Sequence, residues 1–314
     1  MNAPRTRVQR RPVHGVLLLD KPLGLSSNQA LQKAKWLLRA DKAGHTGTLD
    51  PLASGVLPLC FGAATKFSQQ HLDADKTYET TIALGLKTET GDAEGAVLQS
   101  RPVRCTPGQV VEALDRFTGE IDQIPPMHSA LKKDGTALYE YARRGETVER
   151  ASRRVSIHDI ELLSIDLNAT PPSLSLRVRC SKGTYIRTLG EDIAEHLGCG
   201  GHLSRLRRVA TGPFVIDQCV TLERLEAMSE DERVHCLHPI DILLSDHPGI
   251  ELDPPDAGRF LSGLRRRGAW PDQDAVRVYG RQPRALLGTG HVKSGELIPS
   301  RLLSPLDIEQ VLKQ

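Results

Sequence analysis

Gly44-His45-Thr46-Gly47-Thr48-Leu49-Asp50-Pro51-Leu52-Ala53-Ser54-Gly55 is the most informative stretch of this chain. Its glycines and hydroxyl residues predict a loop whose backbone is open to a ligand. Pro51 restricts Asp50 to an extended conformation, so the carboxylate is presented from a fixed turn. A second reading makes Asp50 the N-cap of a helix with Pro51 at its first position, continuing through the small residues of Leu52–Phe61. His45, the glycines and the two threonines crowded around Asp50 favour the ligand loop. A cation nearby would keep Asp50 ionised as a nucleophile or base.

Working outward, Val13–Asp20 is an apolar run ended by Lys21-Pro22-Leu23-Gly24, a buried strand entering a turn. Ser26 or Ser27 caps a helix over Asn28–Leu38, with Ala30, Leu31, Ala34, Leu37 and Leu38 on one face. Downstream, Lys76–Leu86 alternates as a strand, with Tyr78 inside it. Thr106–Phe117 reads as a helix capped by Thr106, with Pro107 in its first turn. A further helix is expected near Ala137–Arg144, strands at Val155–Ile165 and Leu174–Cys180, and a helix Ile186–Leu197 closed by Gly198. Leu222–Met228 is helical, and the proline-rich run Pro248–Pro255 marks a linker. The last 60 or so residues, with β-like pieces at Ala275–Tyr279 and Ala285–Gly290, have the pattern of a small β-barrel.

A second polar patch is Cys180-Ser181-Lys182-Gly183-Thr184-Tyr185-Ile186-Arg187, where a strand ends, Gly183 turns and a helix begins. A helix start can hold an anion, while a plain strand-to-helix turn would place the tyrosine in the core and the arginine at the surface. Tyr78 and Tyr185, two of only five tyrosines, are candidates for stacking on a base, with core packing as the alternative.

Composition bounds the class. The 314 residues carry 41 basic and 39 acidic side chains, a formal charge of +2, with 39% apolar residues, which fits an ordinary globular fold of about two domains. The apolar stretch Val56–Ala64 is interrupted by Pro58 and Gly62 and is far shorter than the ~20 residues of a membrane span. The basic N-terminus is followed by no apolar run, so a secretory signal is not expected and a cytoplasmic location is. Six cysteines without a CxxC pair point to reduced thiols and no metal. Near-zero net charge alone argues weakly against a nucleic-acid partner. The 29 arginines against 12 lysines argue the other way, clustered as Arg5–Arg11, Arg143–Arg154, Arg205–Arg208 and Arg265–Arg267.

The loop Gly44–Leu57 resembles the catalytic-aspartate motif of the TruB family of pseudouridine synthases. The resemblance continues through Leu19-Asp-Lys21-Pro-Leu-Gly-Leu-Ser-Ser27, Lys76-Thr-Tyr78-Glu, Leu84–Gly95, Pro125–Lys132, Leu138–Gly145, Cys180–Arg187 and Leu203–Arg208. It covers nearly the whole chain. His128 departs from it, standing where tyrosine or glutamine is more usual. The resemblance implies an α+β fold: a mixed, mainly antiparallel sheet with flanking helices, plus a small C-terminal β-barrel of the PUA type. It implies a basic, flexible tail at 1–12, a catalytic domain at 13–248 and an RNA-binding domain at 249–314.

It further implies a tRNA isomerase acting on uridine 55 of the T-loop, with Asp50 as the catalytic carboxylate that initiates glycosidic-bond exchange. Tyr78 would pack on the target base, Arg187 would pair with Asp50, and Tyr185 would contact substrate beside it. His45 would fill the space of the flipped base, Leu206 would line the pocket, and Lys21 would support the loop. The expected partner is tRNA through its T-arm and T-loop, with no metal, no cofactor, no membrane and no obligate protein partner for a monomer. A catalytically silent RNA-binding protein and a nucleoside hydrolase are the competing readings.

Overall fold

The computed structural model describes residues 9–314. The sequence opens with β1 (Gly15–Lys21), α1 (Ser27–Leu37), β2 (Ala43–His45) and β3 (Ala53–Phe61), followed by α2 (Ser68–His71) and β4 (Lys76–Leu84). A hairpin, β5 (Leu86–Thr88) and β6 (Val97–Ser100), leads to α3 (Pro107–Arg116) and β7 (Gly119–Gln123). Next come the short β8 (Lys132–Lys133) and β9 (Thr136–Ala137), α4 (Leu138–Arg143), β10 (Arg153–Asp166) and β11 (Ser173–Cys180). α5 (Ile186–His196), β12 (Gly201–Thr211), β13 (Phe214–Val215), β14 (Val220–Thr221), α6 (Leu222–Ala227) and α7 (Glu230–His235) complete this part.

Ten of these strands form one sheet in the order β14-β1-β3-β12-β4-β11-β10-β7, with β2 added to β3 and β13 to β12, while β5 pairs with β6 and β8 with β9 as separate two-stranded ribbons. Only β1–β14 and β3–β12 pair in parallel, so the sheet is mixed and mainly antiparallel. The unbroken apolar run of β1 reflects burial on both faces. Leu17 and Leu19 join the core under α1, α5 and α6, while Val16 and Leu18 join a second cluster with Phe67, Phe214, Leu243 and Leu244. Ser26 caps α1 and Thr106 caps α3, each in a reciprocal capping box with a glutamine three residues on.

Two expectations fail here. Leu52–Phe61 is not a helix; Ala53–Phe61 is the central strand β3, flanked by β1, β2 and β12. Asp50 therefore caps no helix. Pro58 in the middle of the run is incompatible with a helix interior, whereas a strand with a gap in its ladder accepts it. Second, Pro248–Pro255 is no linker. It holds β15 (Gly249–Leu252) and the start of α8 (Pro254–Leu261), whose N-cap is Asp253 and whose prolines fill the first turn.

With β16 (Arg266–Arg267), β17 (Gln273–Arg281), β18 (Arg284–Lys293) and β19 (Glu296–Leu302), β15 builds a second sheet in the order β15-β17-β18-β19-β16. It closes over Phe260 of α8. The last helix, α9 (Pro305–Lys313), packs beside β18 and carries the chain back to β1, where the Gln314 side chain bonds to both backbone groups of His14. Residues 1–8 of the expected tail lie outside the described residues. Its remainder is fixed: Arg11 pairs with Ala40 as an isolated bridge, and Arg10 donates to Lys35 O and Ala40 O.

Candidate active site

The loop between β2 and β3 is held at three points. Leu49 N donates to Ser27 Oγ at 2.7 Å, and the same hydroxyl donates back to Leu49 O at 3.0 Å. Gly24 N donates to Pro51 O at 2.9 Å. Arg208 Nη2 donates to Gly47 O at 3.0 Å, and its Nε donates to Val56 O at 2.8 Å. The Lys21-Pro22-Leu23-Gly24 turn and the first turn of α1 thus frame Asp50.

Asp50 lies at one wall of a cavity of about 360 Å³ whose lining includes Tyr78, Tyr185, Arg187, Leu206 and Arg208. The register explains the grouping. Arg208 of β12 stands opposite Tyr78 of β4 and opposite Gly55 of β3, and Leu206 stands opposite Ala53. Side chains two apart on a strand share a face, so Leu206 and Arg208 face the same side as Lys76 and Tyr78, and all four line the cavity.

Arg187, in the first turn of α5, is almost fully buried. Its Nη2 lies 2.9 Å from Asp50 Oδ2 and donates to His128 O at 2.8 Å. Its Nη1 donates to Thr90 O at 2.9 Å and stands 3.7 Å from Asp92 Oδ2. One guanidinium therefore joins the Asp50 loop to two other segments. The Asp50 carboxyl is pushed above the ordinary carboxylate range by burial; Arg187 and Lys21 pull it back, and Asp92 adds to the rise. Sequence reasoning gave the arginine the whole effect, whereas here burial exceeds it.

The other residues divide. Tyr78 is buried, which raises its phenol pKa against the opposing pull of Arg208, and burial likewise raises Tyr185. Lys21 is fully buried and lines no part of the cavity. Its Nζ donates to Pro22 O and Leu25 O, and burial lowers its pKa to about 8. It stabilises the turn behind Asp50. His45, on β2, is also absent from the lining; burial and then Arg208 lower its pKa, and its Nδ1 has no partner among the described residues.

Sequence reasoning missed Lys76 and Arg208 as cavity residues. Lys76 donates to Leu72 O and Ala74 O, and burial lowers it to about 8. Neither was readable, because a strand arginine and a strand lysine in a polar setting look like surface charge.

The expected basic face at Arg205–Arg208 is corrected at two positions. Arg208 is 1% exposed and Arg207 pairs with Asp20 at 2.7 Å, which leaves only Arg205 exposed. No group of acidic, histidine or cysteine side chains suited to a metal exists among the described residues. No described helix is long and apolar enough to cross a membrane.

The cavity holds a carboxylate against an arginine between two tyrosines, and the match to a family model places the chain in a class, the pseudouridine synthases. Residues 35–186 match the model of the TruB family pseudouridylate synthase N-terminal domain. Residues 187–245 match the tRNA pseudouridylate synthase B C-terminal domain, and 248–303 match the pseudouridine synthase II TruB C-terminal model. The chain is 62% identical to tRNA pseudouridine synthase B of Verminephrobacter eiseniae (strain EF01-2), across 99% of this chain and 95% of the relative. It is 60% identical to the protein of the same name from Ralstonia pickettii (strain 12J), across 94% and 95%.

The chain belongs to the TruB family and is an isomerase of that family. The fold agrees. The crystal structure of a Cbf5–Nop10–Gar1 complex aligns with a TM-score of 0.69 at 26% identity, covering 94% of this chain and 86% of that one. An H/ACA RNP bound to a substrate RNA containing 2′-deoxyuridine aligns with a TM-score of 0.68 at 23% identity, covering 93% and 86%. The α+β expectation holds, with the five-stranded C-terminal sheet as the PUA-like part.

Proposed function

We propose that the protein isomerises uridine 55 in the T-loop of tRNA to pseudouridine, with Asp50 as the catalytic group. The observation that carries this reading is the 2.9 Å pairing of Asp50 with the buried Arg187 at the wall of a cavity large enough for one nucleotide. The relatives' shared name, tRNA pseudouridine synthase B, supports tRNA as the substrate. The uridine leaves its stack at a cost of a few kcal/mol. Its N1–C1′ bond breaks, the base turns, C5 joins C1′, and the C5 proton ends on N1. The ionised carboxylate assists either by attack at C1′, as in retaining glycosidases, or by a glycal route. Both routes need Asp50 charged, which Arg187 favours. Tyr78 packs on the base, Tyr185 and Leu206 complete the wall, and Lys21 braces the turn.

His45 acts from the edge of the loop, in the space a flipped base vacates. Residues 13–248 form the catalytic unit and 249–314 the RNA-binding unit of a monomer that engages the T-arm.

The test is incubation with T-arm RNA, digestion to nucleosides and chromatography. The C-glycoside is expected, with none from an RNA carrying cytidine at the target position. Binding without product would make the chain a silent RNA-binding protein, and free uracil would make it a hydrolase.

A further inference from the structure

Gln123 closes β7, the edge strand of the large sheet, where it stands opposite Arg153 of β10. Its side chain is buried at 2% exposure and turns its carboxamide onto the backbone of one residue. Tyr185 N donates to Gln123 Oε1 at 2.8 Å, and Gln123 Nε2 donates to Tyr185 O at 3.0 Å. Tyr185 is the N-cap residue of α5, and its own side chain caps nothing. The first turn of α5 is the one that carries Arg187. The same stretch of chain then runs through Pro125-Pro126 to His128, whose carbonyl accepts from Arg187 Nη2. One segment therefore grips the arginine twice, through the backbone two residues upstream and at the guanidinium.

We propose that Gln123 is a positioning residue for the isomerisation, whose paired amide contacts to Tyr185 set Arg187 and the Tyr185 ring against Asp50. The proposal rests on the reading of Asp50 as the catalytic group. An amide suits the task because it offers one acceptor and one donor to the N–H and C=O of a single residue. Alanine leaves Tyr185 N unpaired and leaves Tyr185 O only its helical bond from Leu189 N. A glutamate accepts from Tyr185 N, but its second oxygen faces the Tyr185 carbonyl and repels it until the carboxyl takes up a proton. Protonation then restores the donor.

The experiment is single-turnover conversion of T-arm RNA by the full-length protein from pH 6 to 8.5, with RNA Kd measured in parallel. Gln123→Ala is expected to slow the step about 100-fold, the scale of a ~1 Å displacement of a catalytic group, with Kd within threefold. As Arg187 loosens, Asp50 loses the partner that lowers its pKa. The acid limb of the rate profile then moves to higher pH, and the Gln123→Ala deficit widens as pH falls. Gln123→Glu is expected to do the opposite, its deficit narrowing as pH falls. A merely structural contact lowers stability and produces neither trend.

Gln123→Ala within twofold of the unaltered protein, or slowed with an unmoved acid limb, overturns the proposal. If the alanine variant fails to fold, a glutamate deficit that is flat with pH overturns it alone. An Asp50→Asn control separates the two levels. Inactive Asp50→Asn beside fully active Gln123→Ala removes only the positioning role, while active Asp50→Asn removes the site reading beneath it.

Discussion

At Asp50 two effects of opposite sign meet: burial disfavours the charged carboxylate, and Arg187 with Lys21 favours it. Arg187 divides its charge between Asp50 and Asp92, so its hold on Asp50 is weaker than that of a private partner. The net result is a carboxyl whose pKa lies above its ordinary value. The rate should therefore fall with decreasing pH before an exposed carboxylate would titrate, and a pH–rate profile under single turnover checks this. Asp50→Asn keeps the shape and a hydrogen-bond acceptor for Arg187 but removes the charge. It is expected to lower the single-turnover rate by at least about 10⁴-fold, comparable to removing a nucleophile elsewhere. RNA affinity should stay within about tenfold, because phosphate and sugar contacts dominate it. A variant with appreciable rate contradicts the assignment. Asp50, Tyr78, Tyr185, Arg187 and Leu206 were legible in the sequence as a set because short motifs mark them. Ser27, Gln123 and Arg208 were not, since each acts on the backbone of another segment and that pairing exists only in the fold.

At the scale of elements, β3 and β12 decide the architecture, and both were hard to read. β3 is buried on both faces, so it shows no alternation, and its small residues imitate a helix. β12 does alternate, but irregularities at Leu203/Arg205 and Arg208/Ala210 break the period, leaving a run that looks like surface charge. The helices α1, α3 and α5 were readable because caps and apolar stripes sit in contiguous sequence. The contact between β3 and β12 is close enough to fix one residue type. Gly55 has φ +106°, and a Cβ there would lie 2.1 Å from the Arg208 carbonyl oxygen. Gly55→Ala must part the two strands at the floor of the cavity and adopt a backbone that alanine resists. It is expected to cost roughly 3–5 kcal/mol, read as a lower denaturant midpoint. Because Gly55 pairs with Arg208, the same change should slow turnover. An alanine variant of unaltered stability would show that the strands do not approach this closely.

For the whole molecule, the arginine clusters proved a poor guide to a basic face, because much of that arginine is paired within the protein. Arg207 is bound to Asp20, Arg266 to Asp256, and Arg265 and Arg267 share Glu296. The two sheets are also less separable than a linker would imply. Leu303 lies within the cluster that holds Val16, Phe67 and Leu244, and Leu286 and Ile308 pack against it. Deleting residues from about Asp253 onward would expose that cluster, so loss of RNA binding in a truncation would be confounded by loss of stability. A point change at the junction is cleaner. Asp307 accepts from Ser304 N at 2.9 Å as part of the α9 capping box, and from Lys66 Nζ at 2.9 Å in the segment that follows β3. Burial opposes ionisation there, but the bonds from Ser304 and Lys66 outweigh it and bring the pKa to about 2. A carboxylate with a depressed folded-state value stabilises the protein above its unfolded pKa, and that stabilisation is lost as pH falls from 3.8 toward 2. Because solvent screens part of the interaction, the shift corresponds to at most about 2 kcal/mol at neutral pH. Asp307→Ala is expected to lower stability by up to that amount, with the difference from the unaltered protein shrinking once pH drops below the ordinary aspartate range. Because α9 anchors the C-terminal sheet to β1 and to the β3 end, the variant should weaken binding of full-length tRNA more than it slows conversion of bound RNA. A difference in stability that persists undiminished into acid would show that the ion pair and cap are not its source.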